Sequence, residues 1–128
     1  MKNLEINPTF NTPSINFNAG SGYFLMQGRS IPEDPDKFYE KIMTWMEEYF
    51  DETSNETNLE FRLEYVNSGS SKYILELLRR LHKLAQAGKL IKIIWCFETD
   101  DESIEDLGEH YKNTVDLPFE IREIDEMI

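Results

Sequence analysis

The sequence predicts an α/β fold: a single-layer mixed sheet with helices packed on it, in the order β-β-α-β-α-β-α-β. Three observations predict it. Short runs with period-2 alternation or continuous apolar character take turns with stretches whose apolar residues recur at helical spacing. Segments 59–66, 70–87 and 90–97 read as strand, helix, strand, the unit of a right-handed parallel crossover. The chain has 128 residues, 40% hydrophobic and 30% charged, which suits one domain around one modest core.

Taken in order, residues 1–13 contain Pro8 and Pro13 without periodicity and read as an extended arm. Ile15 and Phe17 alternate with polar neighbours, Asn18 to Gly22 supplies turn chemistry, and Tyr23 to Met26 is a short apolar run, together a β-hairpin. Asp34-Pro35 gives an N-cap followed by proline at the first helical position. Phe38, Ile42, Trp45, Met46 and Tyr49 then place an amphipathic helix over roughly 35–51. Leu59, Phe61, Leu63 and Tyr65 alternate with Glu60, Arg62 and Glu64, the pattern of a half-buried strand. Tyr73, Ile74, Leu77, Leu78, Leu81, Leu84 and Ala85 form a wide apolar stripe closed by Gly88, a helix over 70–87. Leu90 to Phe97 is nearly all apolar and reads as a central strand. A short helix over 101–111, with acids in its first turn, and a strand around Phe119 and Ile121 complete the order.

Charge narrows the function classes. Twenty-five acids against 13 bases give a formal net charge of −12, and such a chain has no evident way to displace counterions from nucleic acid. The charge is unevenly spread: residues 1–67 sum to −7, residues 68–97 to +5, and residues 98–128 to −10. One acidic chain thus carries one basic island, formed by Lys72, Arg79, Arg80, Lys83, Lys89 and Lys92. No apolar run approaches the roughly 20 residues of a membrane helix, and Met1 to Glu5 lacks the apolar core of a secretory signal. A cytoplasmic protein without membrane partners is expected.

Catalytic patterns are missing. His82 and His110 have no second histidine at metal-ligand spacing and read as surface residues. Glu98 to Glu102 lacks the spaced calcium-loop pattern. Cys96 lies mid-strand, where it behaves as a small hydrophobe. No metal, cofactor or enzymatic activity is expected. The aromatics Tyr23, Phe24, Trp45, Phe61 and Trp95 allow an alternative, a small-ligand-binding domain with an apolar pocket, but plain core packing is the preferred reading of them. One stretch stands apart: Tyr65-Val66-Asn67-Ser68-Gly69-Ser70-Ser71-Lys72, at the end of a strand and the start of a helix. Hydroxyls there suit the unpaired N–H groups of a helix start. A phosphoryl group on one of them would be favoured by the helix dipole, with Lys72 about a turn away.

At these residues the chain resembles the SiaC family of bacterial regulatory phosphoproteins, over about Thr12 to Ile121. The resemblance rests on Thr12-Pro13-Ser14-Ile15, on Met26-Gln27-Gly28-Arg29-Ser30-Ile31-Pro32-Glu33, on the stretch from Tyr65 to Lys72, on Ile94-Trp95 and on Pro118-Phe119. It implies a single domain over 1–128 with a fold like the STAS-type anti-sigma-factor antagonists. It also implies partner switching: a cognate kinase phosphorylates the domain, a metal-dependent serine/threonine phosphatase reverses this, and the dephosphorylated form binds an effector protein, in the best-known system a diguanylate cyclase of cyclic di-GMP and biofilm signalling. The family's acceptor stands in an Asn-Thr-Ser-Ser-x-Lys stretch, which places it on Ser68 here, with serine for threonine and glycine next. Asn67, Gly69, Ser70 and Lys72 are then the expected partner-binding surface, and Ser70 and Ser71 are less suited as acceptors because they are expected at the helix start.

Overall fold

The computed structural model describes residues 1–53 and 55–127. Six strands and three helices follow one another as β1 (Leu4–Ile6), β2 (Ser14–Asn18), β3 (Tyr23–Ser30), α1 (Pro35–Glu52), β4 (Thr57–Val66), α2 (Ser68–Gln86), β5 (Ile91–Glu98), α3 (Glu102–Thr114) and β6 (Phe119–Ile124). The strands form one mixed sheet in sequential order. β1, β2 and β3 are antiparallel neighbours, and β3 to β6 run parallel. The predicted α/β architecture is therefore present, with one correction. The arm carries a strand of its own, because Leu4 to Ile6 pair with Ile15 to Phe17 at the sheet edge. Three residues are too few to show a period, so the strand is invisible in the sequence.

Each parallel connection steps one strand further in the same direction. Right-handed crossovers of that kind put every helix on one face. The contacts agree. Tyr49 of α1 shares a hydrogen bond of 2.9 Å with Thr57 of β4, and Trp95 of β5 donates to the Ile104 carbonyl of α3 at 2.8 Å. Phe17, Phe24, Leu59, Phe61, Leu63, Ile93 and Trp95 point into this helix-covered core and are fully or almost fully buried. Two of the helices, α1 and α3, start close to where the sequence places them. Asp34 accepts from the Lys37 N–H with Pro35 at the first helical position, and Asp101 accepts from the Ile104 N–H.

Among the described residues no helix lies on the opposite face. Beside Leu25, Ile94 and Cys96 it carries a charged network: Glu60 pairs with Arg62 and, at 3.8 Å, with Arg122, while Glu120 takes Lys92 at 3.0 Å and Arg122 at 2.6 Å. The chain end returns across this face, where Gln27 Nε2 donates to the Met127 carbonyl and Met127 is buried.

A second correction falls on β4. Its pairing with β3 slips by one residue between Gly28 and Arg29, so that Leu63 faces Gly28 but Tyr65 faces Arg29. Such a bulge flips every later side chain to the other face. Tyr65 is turned out, 52% exposed, instead of continuing the buried series Leu59, Phe61, Leu63.

On the core side, Gly108 of α3 lies flat against the indole of Trp95, and a methyl group there would overlap the ring. Gly108→Ala is expected to lower stability by about 1–3 kcal/mol, read as an earlier denaturant midpoint with an unchanged slope.

Candidate functional site

The candidate site is the junction of β4 and α2. The helix begins at Ser68, two residues earlier than the sequence suggests, because the cap is an asparagine and not a serine. Asn67 Oδ1 accepts from the Ser70 N–H at 2.8 Å, and the Asn67 carbonyl accepts from Ser71 N–H at 3.0 Å. The Asn67 N–H is itself held by the Ser30 carbonyl at 3.2 Å, which ties the cap to the end of β3.

The three serines of the stretch have different surroundings. Ser68 is exposed at the first helical position. Ser70 is fully buried, with its hydroxyl receiving a hydrogen bond of 2.9 Å from Ser30, whose Oγ lies 2.6 Å from Tyr39 OH. Ser70, expected on the partner surface, is thus corrected to an interior residue that locks α2 onto β3 and α1. Ser71 is half-buried and donates its hydroxyl back to the Ser68 carbonyl at 2.9 Å. Only Ser68 among them has a hydroxyl turned to solvent and uncommitted to an internal bond among the described residues. Gly69 has ordinary negative φ and room for a side chain, its Cβ position lying 3.6 Å from Asn67 Oδ1. Glycine is not required there by the backbone, and its effect is to leave bare surface beside Ser68.

Basic residues are sorted in the same way. Lys72 lies one turn along from Ser68, and Arg79 and Lys83 continue the same exposed stripe of α2. The other members of the basic island are engaged elsewhere: Arg80 with Glu47 at 2.9 Å and Glu76 at 3.5 Å, Lys89 with the Thr53 carbonyl at 2.9 Å, and Lys92 with Glu120 at 3.0 Å. The +5 segment therefore presents a narrower positive stripe than its charge suggests, and that stripe starts beside Ser68.

The remaining sequence candidates find structural roles. Cys96 is fully buried, and burial pushes its thiol up to about 11. His82 Nδ1 lies 2.9 Å from the Asp116 carbonyl, and His110 is exposed. Among the described residues no cluster of histidine, cysteine and carboxylates is arranged to hold a metal, and no helix is long and apolar enough to cross a membrane. The proposed ligand-pocket aromatics do not converge. Phe24 packs edge-on against Trp45 and Tyr49, Phe61 packs against Trp95, and Tyr23 is 42% exposed. The groove between α1 and α2, of about 380 Å³, is lined instead by Asp36, Glu40, Glu47 and Glu76 around Tyr39 and Tyr73, with Arg80 between Glu47 and Glu76. It is open and mostly acidic.

These features define a small one-sheet α/β module that presents a serine hydroxyl and a basic stripe at a rigidly capped helix start. The chain belongs to the SiaC family of regulatory phosphoproteins, whose pattern matches residues 6–124. It is 29% identical over 126 residues to an uncharacterized protein of Pseudomonas aeruginosa strain UCBPP-PA14, covering 98% of this chain and 100% of that one. The crystal structure of apo-SiaC from P. aeruginosa superposes with a TM-score of 0.87 at 28% identity, covering 95% of this chain and 99% of the other. SiaC in complex with the diguanylate cyclase SiaD, of which it is described as the activator, gives 0.89 at 27% identity, with coverage of 94% and 99%.

The buried hydroxyl chain sets an alkaline limit on this junction. Burial raises Tyr39 from the ordinary tyrosine value near 10 to about 12. The neutral phenol is thus favoured by folding, so this stabilisation is complete below pH 10 and is lost as pH rises from 10 to 12. Tyr39→Phe is expected to cost about 1 kcal/mol at neutral pH and to flatten the loss of stability between pH 10 and 12. Denaturant titrations across that range provide the check, and an unchanged slope would show that Tyr39 does not titrate with unfolding.

Proposed function

We propose that this protein is a non-enzymatic regulatory phosphoprotein of a cytoplasmic partner-switching system, in which reversible phosphorylation of Ser68 controls binding to a diguanylate cyclase. The observation that carries the reading is the selective presentation of Ser68: exposed, at the positive end of a 19-residue helix, beside a Ser70 hydroxyl buried against Ser30 and a Ser71 hydroxyl held by the Ser68 carbonyl. Membership of the family, and the similarity to a protein crystallised with a cyclase that it activates, support the effector class. A cognate kinase would add the phosphate and a metal-dependent phosphatase would remove it.

The physical effect is local. A phosphate adds a charge of about −1.5 to −2 and three acceptor oxygens. At the first position of α2 the dipole and Lys72, four residues on, stabilise that charge. The helix therefore tolerates modification without unfolding, and the change is felt by whatever docks there. A partner fitted to the neutral surface would lose contacts and face a charge that it does not match.

Two outcomes are expected. With purified SiaD as the binding partner, Ser68→Ala retains the affinity of the unmodified protein, whereas phosphoserine encoded at position 68 weakens it by at least about tenfold. Equal affinities would overturn the switch. In the phosphorylated protein, phosphorus NMR should give a second phosphate pKa below the usual value of about 6, and Lys72→Met should raise it. A pKa insensitive to that change would remove Lys72 from the phosphate's surroundings.

A further inference from the structure

We infer that Phe10, Arg29 and Tyr65 form a second docking surface for the same effector, one that recognises a carboxylate set among apolar side chains. The inference rests on the effector reading above, and extends it from the phosphoacceptor stretch, which contributes Tyr65, to the end of β3 and the β1–β2 connection.

Among the described residues five large apolar or aromatic side chains stand exposed: Met1, Phe10, Tyr23, Tyr65 and Leu90. Tyr23 and Leu90 lie at the ends where β3 and β5 begin. Phe10 and Tyr65 lie at the opposite end, where the parallel strands finish and Ser68 begins α2. Phe10, 75% exposed, comes from the β1–β2 connection, which is pinned to the end of β3 by the Ile31 N–H donating to the Asn11 carbonyl at 2.9 Å. Its ring covers the Arg29 guanidinium, with Cζ 4.7 Å from the ring centre. Tyr65 is the register partner of Arg29 on the neighbouring strand.

Two features argue that this trio serves a partner. The bulge beyond Gly28 turns Tyr65 out of the core, where the alternation of β4 would have placed it, and sets it next to Arg29. Arg29, like Arg79, makes no ion pair among the described residues, but it alone carries an exposed aromatic ring over its guanidinium, whereas Arg62, Arg80 and Arg122 are held by carboxylates. A planar cation beneath one exposed aromatic ring, with an exposed tyrosine at its register position on the next strand, matches the arginine- and tyrosine-rich composition of interface hot spots, and its complement is a carboxylate in an apolar setting. The surface is fastened to Ser68 through short backbone links: Arg29 precedes Ser30, whose carbonyl holds the Asn67 N–H at 3.2 Å. One effector can therefore cover both. In this arrangement the trio supplies affinity and Ser68 decides whether it is realised.

The test measures the affinity of the unmodified protein and of four variants for purified SiaD: Arg29→Glu, the double change Phe10→Ser/Tyr65→Ser, Leu90→Ser and Ser68→Asp. The exposure of Phe10, Tyr65 and Leu90 leaves folding intact, and thermal melting verifies it for each protein. The expected result is a loss of at least about tenfold for Arg29→Glu and for the double variant, with Leu90→Ser unchanged. Retention of affinity by Arg29→Glu and the double variant, or an equal loss in Leu90→Ser, overturns the second surface. Loss in Ser68→Asp alone then leaves the switch standing without it. Loss in the trio variants with full binding by Ser68→Asp keeps the surface and sinks the switch. Absence of binding by the unmodified protein overturns the effector class, and this surface with it.

Discussion

Two hydroxyls with no access to water, Ser30 and Ser70, hold the end of β3 against the start of α2, and Tyr39 of α1 closes the chain above them. A buried hydroxyl left without a partner costs a large part of its hydration energy. Ser30 is the shared partner: the Ser70 and Tyr39 hydroxyls are both satisfied through its Oγ. The cap is built on the same arrangement, since Asn67 receives the Ser70 N–H with its side chain and gives its own N–H to Ser30. The direction in which Ser68 faces is a consequence: with Ser70 fixed inward at the third helical position, the first position must face out. Ser68 is therefore an exposed group on a rigid frame rather than one residue of a mobile loop.

That rigidity matters for how a modification acts. A phosphate on a flexible segment reorganises the segment, whereas a phosphate on a fixed helix start changes charge and shape at a fixed point. Lys72, Arg79 and Lys83 extend along α2 from that point, with Glu76 among them. The groove between α1 and α2, which holds Glu76 and Arg80, borders this stripe. An added phosphate would therefore change a surface of mixed charge at its most cation-rich end.

Much of the fold is legible in the sequence because its signals are local. Pro35 after Asp34, the long apolar stripe of α2 and the run from Ile91 to Phe97 each state an element directly. What could not be read depends on partners distant in sequence. β1 exists only through pairing with β2, and the outward turn of Tyr65 exists only through the register slip against β3. The same division applies at the site. Alternation and capping rules found the junction of β4 and α2, and family resemblance singled out Ser68. The inward position of Ser70 needed Ser30 and Tyr39, which lie 40 and 31 residues away along the chain. No pattern within the stretch from Tyr65 to Lys72 distinguishes its serines, since each carries the same hydroxyl.

The most direct test of the central claim is phosphopeptide mass spectrometry of the protein recovered from its native host. The account predicts phosphate on Ser68, with Ser70 and Ser71 unmodified. Phosphate on Ser70 would contradict it, because a kinase reaches that hydroxyl only if the Ser30–Tyr39 lock opens.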